Sequence, residues 1–526
     1  MRAPRVVSAP VARLRQHPWV AVFAAVSLAL LALRLVALDA SPPGLYADEA
    51  SIGYNAWAVA HYGQDEHGAR LPLFFEAFGE YKNPVYIYAL APLTRVLPLT
   101  PYVVRLPAAL FGLVVCATLA LFAYTVTRSR GAALLTLVVA GITPWLVQES
   151  RLGFEVISMV ALLSVMLWCL AHAAAADSWR WFAGAGVALG LSTFAYSTGR
   201  AFTVALIVAL VVCFGIRARS LAWLAALAAP LLSLAGLFTY NALNGGAVLA
   251  RFNTISIAYG NPGFGTMLQR FFNNYSDYWD FRFLFTHGDG NIRHSTGFGG
   301  MLLVSTLPVL LAGFAVCLTR LREALPRFLV LGALLAPIPA ALTAQGTPHS
   351  LRAATMLPFV LAFAAYGSDA LLRALRSRRV AAGVLAGAVL VEAGAYFLDM
   401  YTAYPDRALL AFDTGQAAAI QRAVAMARGH DIYISTSLEA GYIDALFTLR
   451  PPPPPEQSNA RAQLTALHIH VVDADTMSMA AGPGDVLVLS SQDALPGHAD
   501  VVYTDERDTG SGSSLVLLVL VARVSS

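Results

Sequence analysis

The sequence is poor in charge and almost devoid of lysine. Only 13% of its 526 residues are charged while 57% are hydrophobic, which excludes an ordinary soluble globular domain. One of the 35 basic residues, Lys82, is a lysine, and all the others are arginines. The formal net charge is only +4 and most arginines lie in short loops, so we expect no nucleic-acid partner.

Several familiar motifs are missing as well. The chain has no glycine-rich nucleotide-binding loop and no internal repeat. Its cysteines lack metal-ligand spacing and lie inside apolar runs, where they are typical small core side chains: Cys116, Cys169, Cys213 and Cys317. The first apolar run, after Trp19, is too long for the core of a cleavable signal and has no clear cleavage site. We expect it to remain as a membrane span.

Long apolar runs are abundant, and they predict a polytopic α-helical membrane protein. Runs of about 20 residues are long enough to cross a hydrocarbon core of roughly 30 Å. Eleven predicted spans cover residues 19–38, 103–127, 132–148, 154–173, 179–197, 201–216, 220–240, 299–319, 327–343, 353–372 and 380–398. The N-terminal tail and alternate connections are rich in arginine, which places them in the cytoplasm and the C-terminus outside.

The segment 84–99 is apolar but short, and it contains Pro84, Pro92 and Pro98. If it crossed the bilayer, every later arginine cluster would move to the outside. We therefore predict a re-entrant or interfacial helix pair, whose backbone must be buried in protein. The alternative is a true span, with the parity restored by another segment.

We divide the chain into a membrane domain and a soluble domain. The membrane domain, residues 1–400, has a first external loop at 39–83 and a long external loop at 241–298. In the remainder, 401–526, a helical pattern at 415–428 precedes the strand-like runs DIYIS, HIHVV, DVLVLS, DVVYT and SLVLLVLVARV. This pattern predicts a small α/β domain outside the cytoplasm.

The first external loop holds two adjacent carboxylates, Asp48 and Glu49. The apolar residues that follow share one helical face, which predicts an amphipathic interfacial helix beginning near Asp48. A structural N-cap at Asp48, with Glu49 in the first turn, is one explanation. The functional alternative is a reactive carboxylate that accepts a hydroxyl proton or holds a cation beside a departing phosphate.

Lys82 lies at the other end of the same loop, in GEYKNP. A lysine at this place could simply extend its ammonium to the lipid headgroups. Arginine would serve that purpose equally well, so the single lysine of an arginine-using chain favours a specific role. A compact ammonium suits a lipid phosphate as a point charge.

Three arginines run against the topology rule, because Arg151, Arg200 and Arg352 end or begin predicted spans on the outside. Each could contact a headgroup or a neighbouring acid, and Glu155 follows Arg151 by one turn. Together on the side of Lys82 they indicate a phosphate site. His349 precedes Arg352 in TPHSLR and belongs to the same candidate site.

The long external loop contains the polar run GDGNIRHS. Asp289, Arg293 and His294 could contribute to a sugar or acceptor site. The alternative is that the glycines mark ordinary turns.

These motifs together carry a family resemblance. The stretches ADEA at 47–50, YKNP at 81–84, SRLGFE at 150–155 and PHSLRA at 348–353 resemble those of the GT-C glycosyltransferases of family 39. That group includes protein O-mannosyltransferases and the lipid A aminoarabinose transferase. The resemblance covers about the first 400 residues. It implies a GT-C fold of about 11 transmembrane helices with re-entrant or interfacial helices.

The resemblance also implies a reaction, which is inverting sugar transfer from a polyprenyl-phosphate donor to a lipid, glycan or protein acceptor at the outer face of the membrane. Asp48 would be the general base or would orient the acceptor, with Glu49 beside it. Lys82, with Arg151, Arg352 and Arg200, would bind the donor phosphate. The substrate-binding residues would be Tyr81, Glu155, Asp289, Arg293, His294 and His349.

Two departures from the family pattern matter. Asn83 separates Lys82 from a single proline where family members often have Lys-Pro-Pro, and the external domain of the mannosyltransferases between late spans is replaced here by a C-terminal one. Protein mannosylation is therefore not the preferred subgroup.

The expected location is a bacterial inner membrane, with the C-terminal domain periplasmic or extracellular. We assign no metal ligands and no cofactor, and a divalent metal remains an open alternative. A surface-polysaccharide polymerase or ligase with its chemistry in the long external loop is the second enzymatic reading. A transporter or flippase of lipid-linked sugars is the rival class, although Glu392 is the only strong acid in the middle of a predicted span and no two-fold repeat is visible.

Overall fold

The computed structural model describes residues 18–215, 220–438, 441–455, 457–508 and 515–525. Helices dominate up to residue 402, and only one short hairpin interrupts them among the described residues. In chain order these elements are α1 Pro18–Leu35, α2 Ala47–Tyr62, β1 Phe75–Ala77, β2 Glu80–Lys82, α3 Pro84–Val96, α4 Pro101–Thr127, α5 Arg130–Ile142, α6 Pro144–Glu149, α7 Val156–Ala176, α8 Trp179–Ser192, α9 Ser197–Leu210, α10 Ala225–Leu243, α11 Ala247–Ile255, α12 Phe264–Asp277, α13 Leu307–Thr319, α14 Ala324–Leu335, α15 Ile338–Ala341, α16 Ser350–Ala353, α17 Met356–Leu375 and α18 Arg379–Thr402.

Eight helical segments of the described chain are long and apolar enough to cross a membrane. They are Pro18–Leu35, Pro101–Thr127, Val156–Ala176, Ser197–Gly215, Ala222–Leu243, Ala324–Ala341, Met356–Leu375 and Arg379–Thr402. The predicted class, a polytopic helical membrane protein, is therefore confirmed. Each of the other three predicted spans contains a shorter helix, namely Arg130–Ile142, Trp179–Ser192 and Val304–Thr319. The sequence pattern overestimated these three because Pro144 breaks the first and polar turns shorten the others.

The helices pack closely where their facing residues are small. At the crossing of α13 and α17, Gly313 and Gly367 lie against the partner helix. A Cβ atom on Gly313 would come within 1.8 Å of the Phe363 carbonyl oxygen, and one on Gly367 within 1.8 Å of the Val309 oxygen. Only glycine allows the two backbones to approach this closely.

The order of the helices puts the candidate site residues at one end of the bundle. Helices that alternate in direction bring the segments 36–100, 143–155, 244–303 and 342–355 together at that end. Contacts confirm this grouping, since Arg200 bonds Asn83 and Gln148 bonds the Arg293 carbonyl oxygen. The arginine-rich connections lie at the opposite end, and two of their members, Arg217 and Arg219, fall outside the described residues.

The first loop is more buried than an interfacial helix would be. Helix α2 begins at Ala47, so Asp48 is its second residue rather than its N-cap. Most of α2 is buried, including Ser51 and Asn55, because α3 and the C-terminal region cover it. The predicted amphipathic pattern was therefore wrong, while the placement of α2 at the membrane interface stays a prediction. The segment 84–99 forms one 13-residue helix, α3, rather than a pair, and its position in the membrane stays a prediction.

The C-terminal region contains the predicted small sheet with helices. Its elements are α19 Tyr404–Ala408, α20 Gln416–Ala427, β3 Ile432–Ser435, α21 Gly441–Leu449, α22 Ala462–Thr465, β4 Ile469–Val472, α23 Ala474–Ala480, β5 Val486–Ser490, β6 Ala499–Asp508 and β7 Leu515–Val524. The strand order is β4-β3-β5-β7-β6. Strands β4, β3 and β5 are parallel, while β7 pairs antiparallel with β5 and β6. All five strand-like runs of the sequence became strands.

The C-terminal region rests on the first loop. The Tyr54 hydroxyl lies 2.7 Å from both the Pro451 carbonyl oxygen and Gln463 Oε1. Gln463 Nε2 donates to the Glu66 carbonyl oxygen at 2.8 Å. Ala47 N–H, at the start of α2, donates to Asp413 at 3.2 Å. The C-terminal region thus holds the helix that carries Asp48 in place.

Candidate active site

Lys82 and Asp48 are in direct contact, although 33 residues lie between them in sequence. Lys82 Nζ lies 2.6 Å from Asp48 Oδ1. Lys82 is the last residue of β2, which pairs with β1 opposite Phe75, and Asp48 lies in the first turn of α2. The lysine side chain is 8% exposed and the aspartate side chain 38% exposed. The carboxylate therefore faces open space while the ammonium lies behind it.

Glu155 is the second carboxylate beside Lys82. Burial alone would lower the pKa of Lys82, but the charges of Asp48 and Glu155 outweigh this effect and raise it. Burial raises the pKa of Glu155 to about 7, while Lys82 acts in the opposite direction. Lys82 is therefore a cation at neutral pH, whereas Glu155 gains or loses its proton near pH 7.

Asn83 connects this cluster to Arg200. Its backbone N–H donates to Glu155 Oε1, and its side-chain amide lies 3.4 Å from Glu155 Oε2. Arg200 donates to Asn83 Oδ1 at 2.7 Å. Sequence reasoning treated Asn83 only as a departure from the family pattern and missed this role. The signal was there, because a polar residue between Lys82 and a helix-starting proline must use its side chain locally.

Glu49 is separated from this cluster by its own buried partner, Arg105. Arg105 Nε and Nη2 each lie 2.8 Å from a Glu49 oxygen, and both side chains are fully buried. Glu49 Oε1 also accepts from the Gly153 N–H at 2.7 Å. The other Arg105 donors bond the carbonyl oxygens of the turn before α2, at Leu38, Pro42 and Gly44. Arg105 lies within the predicted span 103–127 and was not among the predicted site residues.

Arg151 is committed to the backbone in the same way. Its five N–H donors bond carbonyl oxygens at the C-terminal end of α1 and beyond, at Leu33, Arg34, Ala37 and Ser41. The side chain is fully buried and its guanidinium lies 5.2 Å from the Tyr401 ring centroid. Burial lowers the pKa of Arg151 to about 10. All five donors are used within the chain, so Arg151 closes the end of α1, and its phosphate contact stays a prediction.

Arg352 has spare hydrogen-bonding capacity. Its Nη1 donates to Thr343 Oγ1 at 3.2 Å and to the Gln345 carbonyl oxygen at 2.6 Å. No hydrogen bond from its Nε or Nη2 occurs among the described residues. Burial raises the pKa of Tyr196, while the charge of Arg352 lowers it and that of Glu155 raises it.

A cavity of about 640 Å³ opens beside this arginine. Arg251, Arg270 and Gln345 line it, and Gln345 is the residue whose carbonyl oxygen Arg352 holds. Arg251 also lies 3.4 Å from Glu80 in β2, two residues before Lys82. The cavity is thus basic and adjoins the strand that carries Lys82.

Tyr81 faces away from its neighbour Lys82, as successive residues of a strand do. It packs with Phe74, Leu237 and Val248 in a small apolar cluster. Arg200 also touches this cluster, with its guanidinium 5.3 Å from the Phe74 ring centroid. The structure therefore puts Tyr81 beside the site rather than against Lys82.

The two polar loops of the sequence analysis meet in a second cluster. Asp289 Oδ2 lies 3.1 Å from His294 Nδ1, and the His294 and His349 rings are 4.6 Å apart. One ligand atom from each of these three residues lies within 4.8 Å of the others. Burial lowers the pKa of His349 to about 3, so its imidazole is neutral at physiological pH.

Arg293 takes a different direction from its neighbour His294. Its guanidinium lies 3.9 Å from the Tyr46 ring centroid and donates to the Ala411 carbonyl oxygen at 2.7 Å. Arg293 thus links the long loop to the residue before α2 and to the C-terminal region.

Comparison with known proteins agrees with this architecture. Residues 81–238 match the family model described as dolichyl-phosphate-mannose-protein mannosyltransferase. The structure of ArnT from Cupriavidus metallidurans bound to undecaprenyl phosphate is similar, with a TM-score of 0.54 and 16% identity over 97% of this chain and 98% of that one. Its apo state matches with the same TM-score, identity and coverage. No curated protein sequence matches the chain significantly. The chain therefore has the GT-C glycosyltransferase fold that its motifs predicted.

Proposed function

We propose that this GT-C chain transfers a sugar from a polyprenyl-phosphate donor to an acceptor at the outer face of a bacterial inner membrane. The contact between Lys82 and Asp48 is the observation that carries the proposal. It joins the one lysine of the chain to a half-exposed carboxylate at the end of the bundle where the polar loops gather. The match to the mannosyltransferase family model and the undecaprenyl phosphate bound by ArnT support a lipid-phosphate donor.

Lys82 would stabilise the phosphate that leaves when the glycosidic bond breaks. Its ammonium has three N–H donors, and among the described residues it gives one to Asp48. The remaining donors are free for a phosphate oxygen. A buried, fixed cation stabilises the growing negative charge of the leaving group without reorganising in the reaction. Arg352, with its unused Nε and Nη2, would hold a second phosphate oxygen.

Asp48 would accept the proton of the acceptor hydroxyl. One of its oxygens is held by Lys82, and its 38% exposed side chain can meet an acceptor in the open space. If the acceptor attacks the anomeric carbon on the side opposite to the phosphate, the configuration inverts. A carboxylate paired with a cation is a weak base, which suits a late proton transfer in which the hydroxyl has already begun to bond carbon.

Two further carboxylates would have positioning roles. Glu155 holds the N–H of Asn83 and adds negative charge beside Lys82, and so it would fix the ammonium rather than contact the sugar. Glu49 would support the reaction through Arg105, because this buried pair ties the start of α2 to the turn before it.

The contacts of Glu392 do not favour a transporter, although an acid in the middle of a span is typical of one. Glu392, in α18, accepts the N–H groups of Val304 and Ser305 at 2.8 Å each. These donors are the first amides of the helical segment Val304–Thr319, whose amides lack partners within the helix. Glu392 therefore acts as a helix cap instead of lying free along a pathway.

The test is sugar transfer by the purified full-length chain from radiolabelled polyprenyl-phosphate sugars to a membrane-lipid extract. We expect Asp48→Asn to lower the rate by about 10²–10⁴-fold and Lys82→Ala by about 10²–10³-fold. Exposed residues provide matched controls, namely Asp500→Asn for the acid and Arg95→Ala for the base. Transfer at the wild-type rate by both site variants would refute the assignment. Movement of lipid-linked sugar across proteoliposomes without turnover would favour a flippase.

A further inference from the structure

We infer that Asp289, His294 and His349 form a binding site for one divalent transition-metal ion of the zinc class. Two imidazole nitrogens and one carboxylate oxygen come from two loops that are 55 residues apart at His294 and His349, and they converge with all three ligand atoms within 4.8 Å. The site is separate from the Lys82–Asp48 contact, which needs no residue of this cluster.

The three side chains are arranged as metal ligands usually are. Asp289 is held by backbone amides, since Ser350 N–H donates to Oδ2 at 2.8 Å and Asn291 N–H to Oδ1 at 2.8 Å. Such outer contacts fix the direction of a ligand before the metal arrives. Asp289 and His294 are each only 6% exposed. A solvated surface ion pair would lack this support.

An ordinary ion pair between Asp289 and His294 leaves two nearby groups unexplained. His349 Nδ1 is buried and has no hydrogen-bond partner among the described residues. Glu149 is fully buried, and neither of its oxygens accepts a hydrogen bond of good geometry within the described chain. A cation between these loops would give a partner to the His349 nitrogen and to a Glu149 oxygen, which both lack one among the described residues.

The donor set selects the class of metal. Imidazole nitrogen with a single carboxylate suits Zn²⁺, whereas Mg²⁺ and Ca²⁺ prefer sites made wholly of oxygen. Zinc binds nitrogen and oxygen at about 2.0–2.2 Å, so the three ligand atoms must close to about 3–3.5 Å from one another. The distance between Asp289 Oδ2 and His294 Nδ1 is already 3.1 Å, and no two of the three ligand atoms are more than 4.8 Å apart.

The position of the site suggests what the ion does. His349 is the residue before α16, and Arg352 lies within that helix. An ion shared by Asp289, His294 and His349 would fasten the long loop to α16 and so hold Arg352 in place. The ion would be structural in this arrangement, with three protein ligands and a fourth place for water or Glu149.

The experiment measures metal bound to the full-length chain, purified in detergent with a tag that contains no histidine. The protein is stripped with a chelator, loaded with Zn²⁺ and desalted, and its zinc is counted by mass spectrometry. We expect one zinc per chain in the wild type and in His498→Ala, whose imidazole is exposed. Asp289→Asn and His349→Ala should lose at least 10- to 100-fold in zinc affinity. Equal zinc content in all four proteins, or none in the wild type, would overturn the inference.

A second variant keeps the test valid if the first ones fold poorly. His349→Cys retains a zinc ligand, so it should still bind one equivalent of metal. With Co²⁺ in place of Zn²⁺, the wild type should show the visible absorption of a low-symmetry nitrogen and oxygen site. His349→Cys should add a thiolate-to-cobalt charge-transfer band. Absence of that band in a folded, cobalt-loaded variant would show that residue 349 is not a ligand. Neither readout depends on sugar transfer.

Discussion

Glu49 and Arg105 form a bidentate ion pair in which both side chains are fully buried. The pair joins the first turn of α2 to α4, and Arg105 extends it to three carbonyl oxygens of the preceding turn. The adjacent carboxylates of the ADEA motif thus have opposite environments, since Asp48 is half-exposed and Glu49 is sealed. Their neighbourhood in sequence says nothing about a shared role.

Arg105→Ala is expected to destabilise the chain strongly. Removing one partner of a buried ion pair leaves the other charge without compensation, which typically costs about 3–5 kcal/mol. We expect a clearly lower midpoint of thermal unfolding in detergent, followed by the intrinsic fluorescence of the eight tryptophans. Arg95→Ala, which replaces an exposed arginine, serves as the control. An unchanged midpoint for Arg105→Ala would contradict the assigned role.

Substitution of Arg151 and substitution of Arg352 should have different effects, because Arg151 has a structural role and Arg352 is proposed to bind substrate. Arg151 gives all five donors to backbone carbonyl oxygens, so Arg151→Ala should lower thermal stability. Arg352 keeps unused donors, so Arg352→Ala should raise the KM for the lipid-phosphate donor by about tenfold or more with little change in stability. The two variants are compared by thermal unfolding and by donor titration. A raised KM without destabilisation in Arg151→Ala would restore its predicted phosphate contact.

Lys82→Arg is expected to be inactive or nearly so, although the charge is kept. The lysine side chain is only 8% exposed and its compact ammonium lies 2.6 Å from Asp48. A planar guanidinium is larger, and its fork would engage Asp48 with two donors instead of one. We expect transfer to fall by about 10²-fold or more, near the effect of removing one donor to a developing anion. Wild-type transfer by this variant would mean that only the charge matters.

The pH profile of transfer should report Glu155. Its pKa is raised to about 7, so the carboxylate is ionised above that pH and gains a proton below it. Protonation removes negative charge beside Lys82 and weakens the bonds from Asn83, so kcat/KM should fall as the pH decreases through about 7. Glu155→Gln should have lower activity and lack this inflection. An identical inflection in the variant would assign it to another group.

The same shift has the opposite effect on stability. A carboxyl group whose pKa rises from 4.5 in the unfolded chain to about 7 in the fold favours folding below pH 4.5, relative to neutral pH. That contribution is lost as the pH rises from 4.5 to 7, because the group gives up its proton in the unfolded chain while the folded chain still holds it. Thermal unfolding of the wild type and Glu155→Gln should therefore differ most in its pH dependence across this window.

The sequence predicted well what depends on local patterns. The eleven apolar runs became helices, and the runs DIYIS and SLVLLVLVARV became strands β3 and β7, because hydrophobic length and alternation specify these elements. The sequence also assigned Lys82 and Asp48 to one site, because one lysine among so many arginines is a compositional signal, and in the structure the two are in contact.

The sequence did not predict which distant residues contact each other. Arg151 was grouped with Arg352 and Arg105 was overlooked, yet Arg105 and Arg151 each donate their hydrogen bonds to groups from a distant turn. No local sequence pattern distinguishes an arginine that donates to the carbonyl oxygens of a helix end from one that binds a phosphate. The same holds for α2, whose apolar face was read as facing lipid because the helix that covers it, α21, comes almost 400 residues later.

The packing of α21 on α2 makes the membrane region and the C-terminal region depend on each other. Gly53 of α2 lies so close to Phe447 of α21 that an added methyl group would come within 2.7 Å of the ring, and Tyr54 reaches into the chain at Pro451 and Gln463. Truncation of the chain after α18 would remove α21 and expose the helix that carries Asp48. Exchange of the C-terminal region for another module would therefore require matching changes around Gly53 and Tyr54.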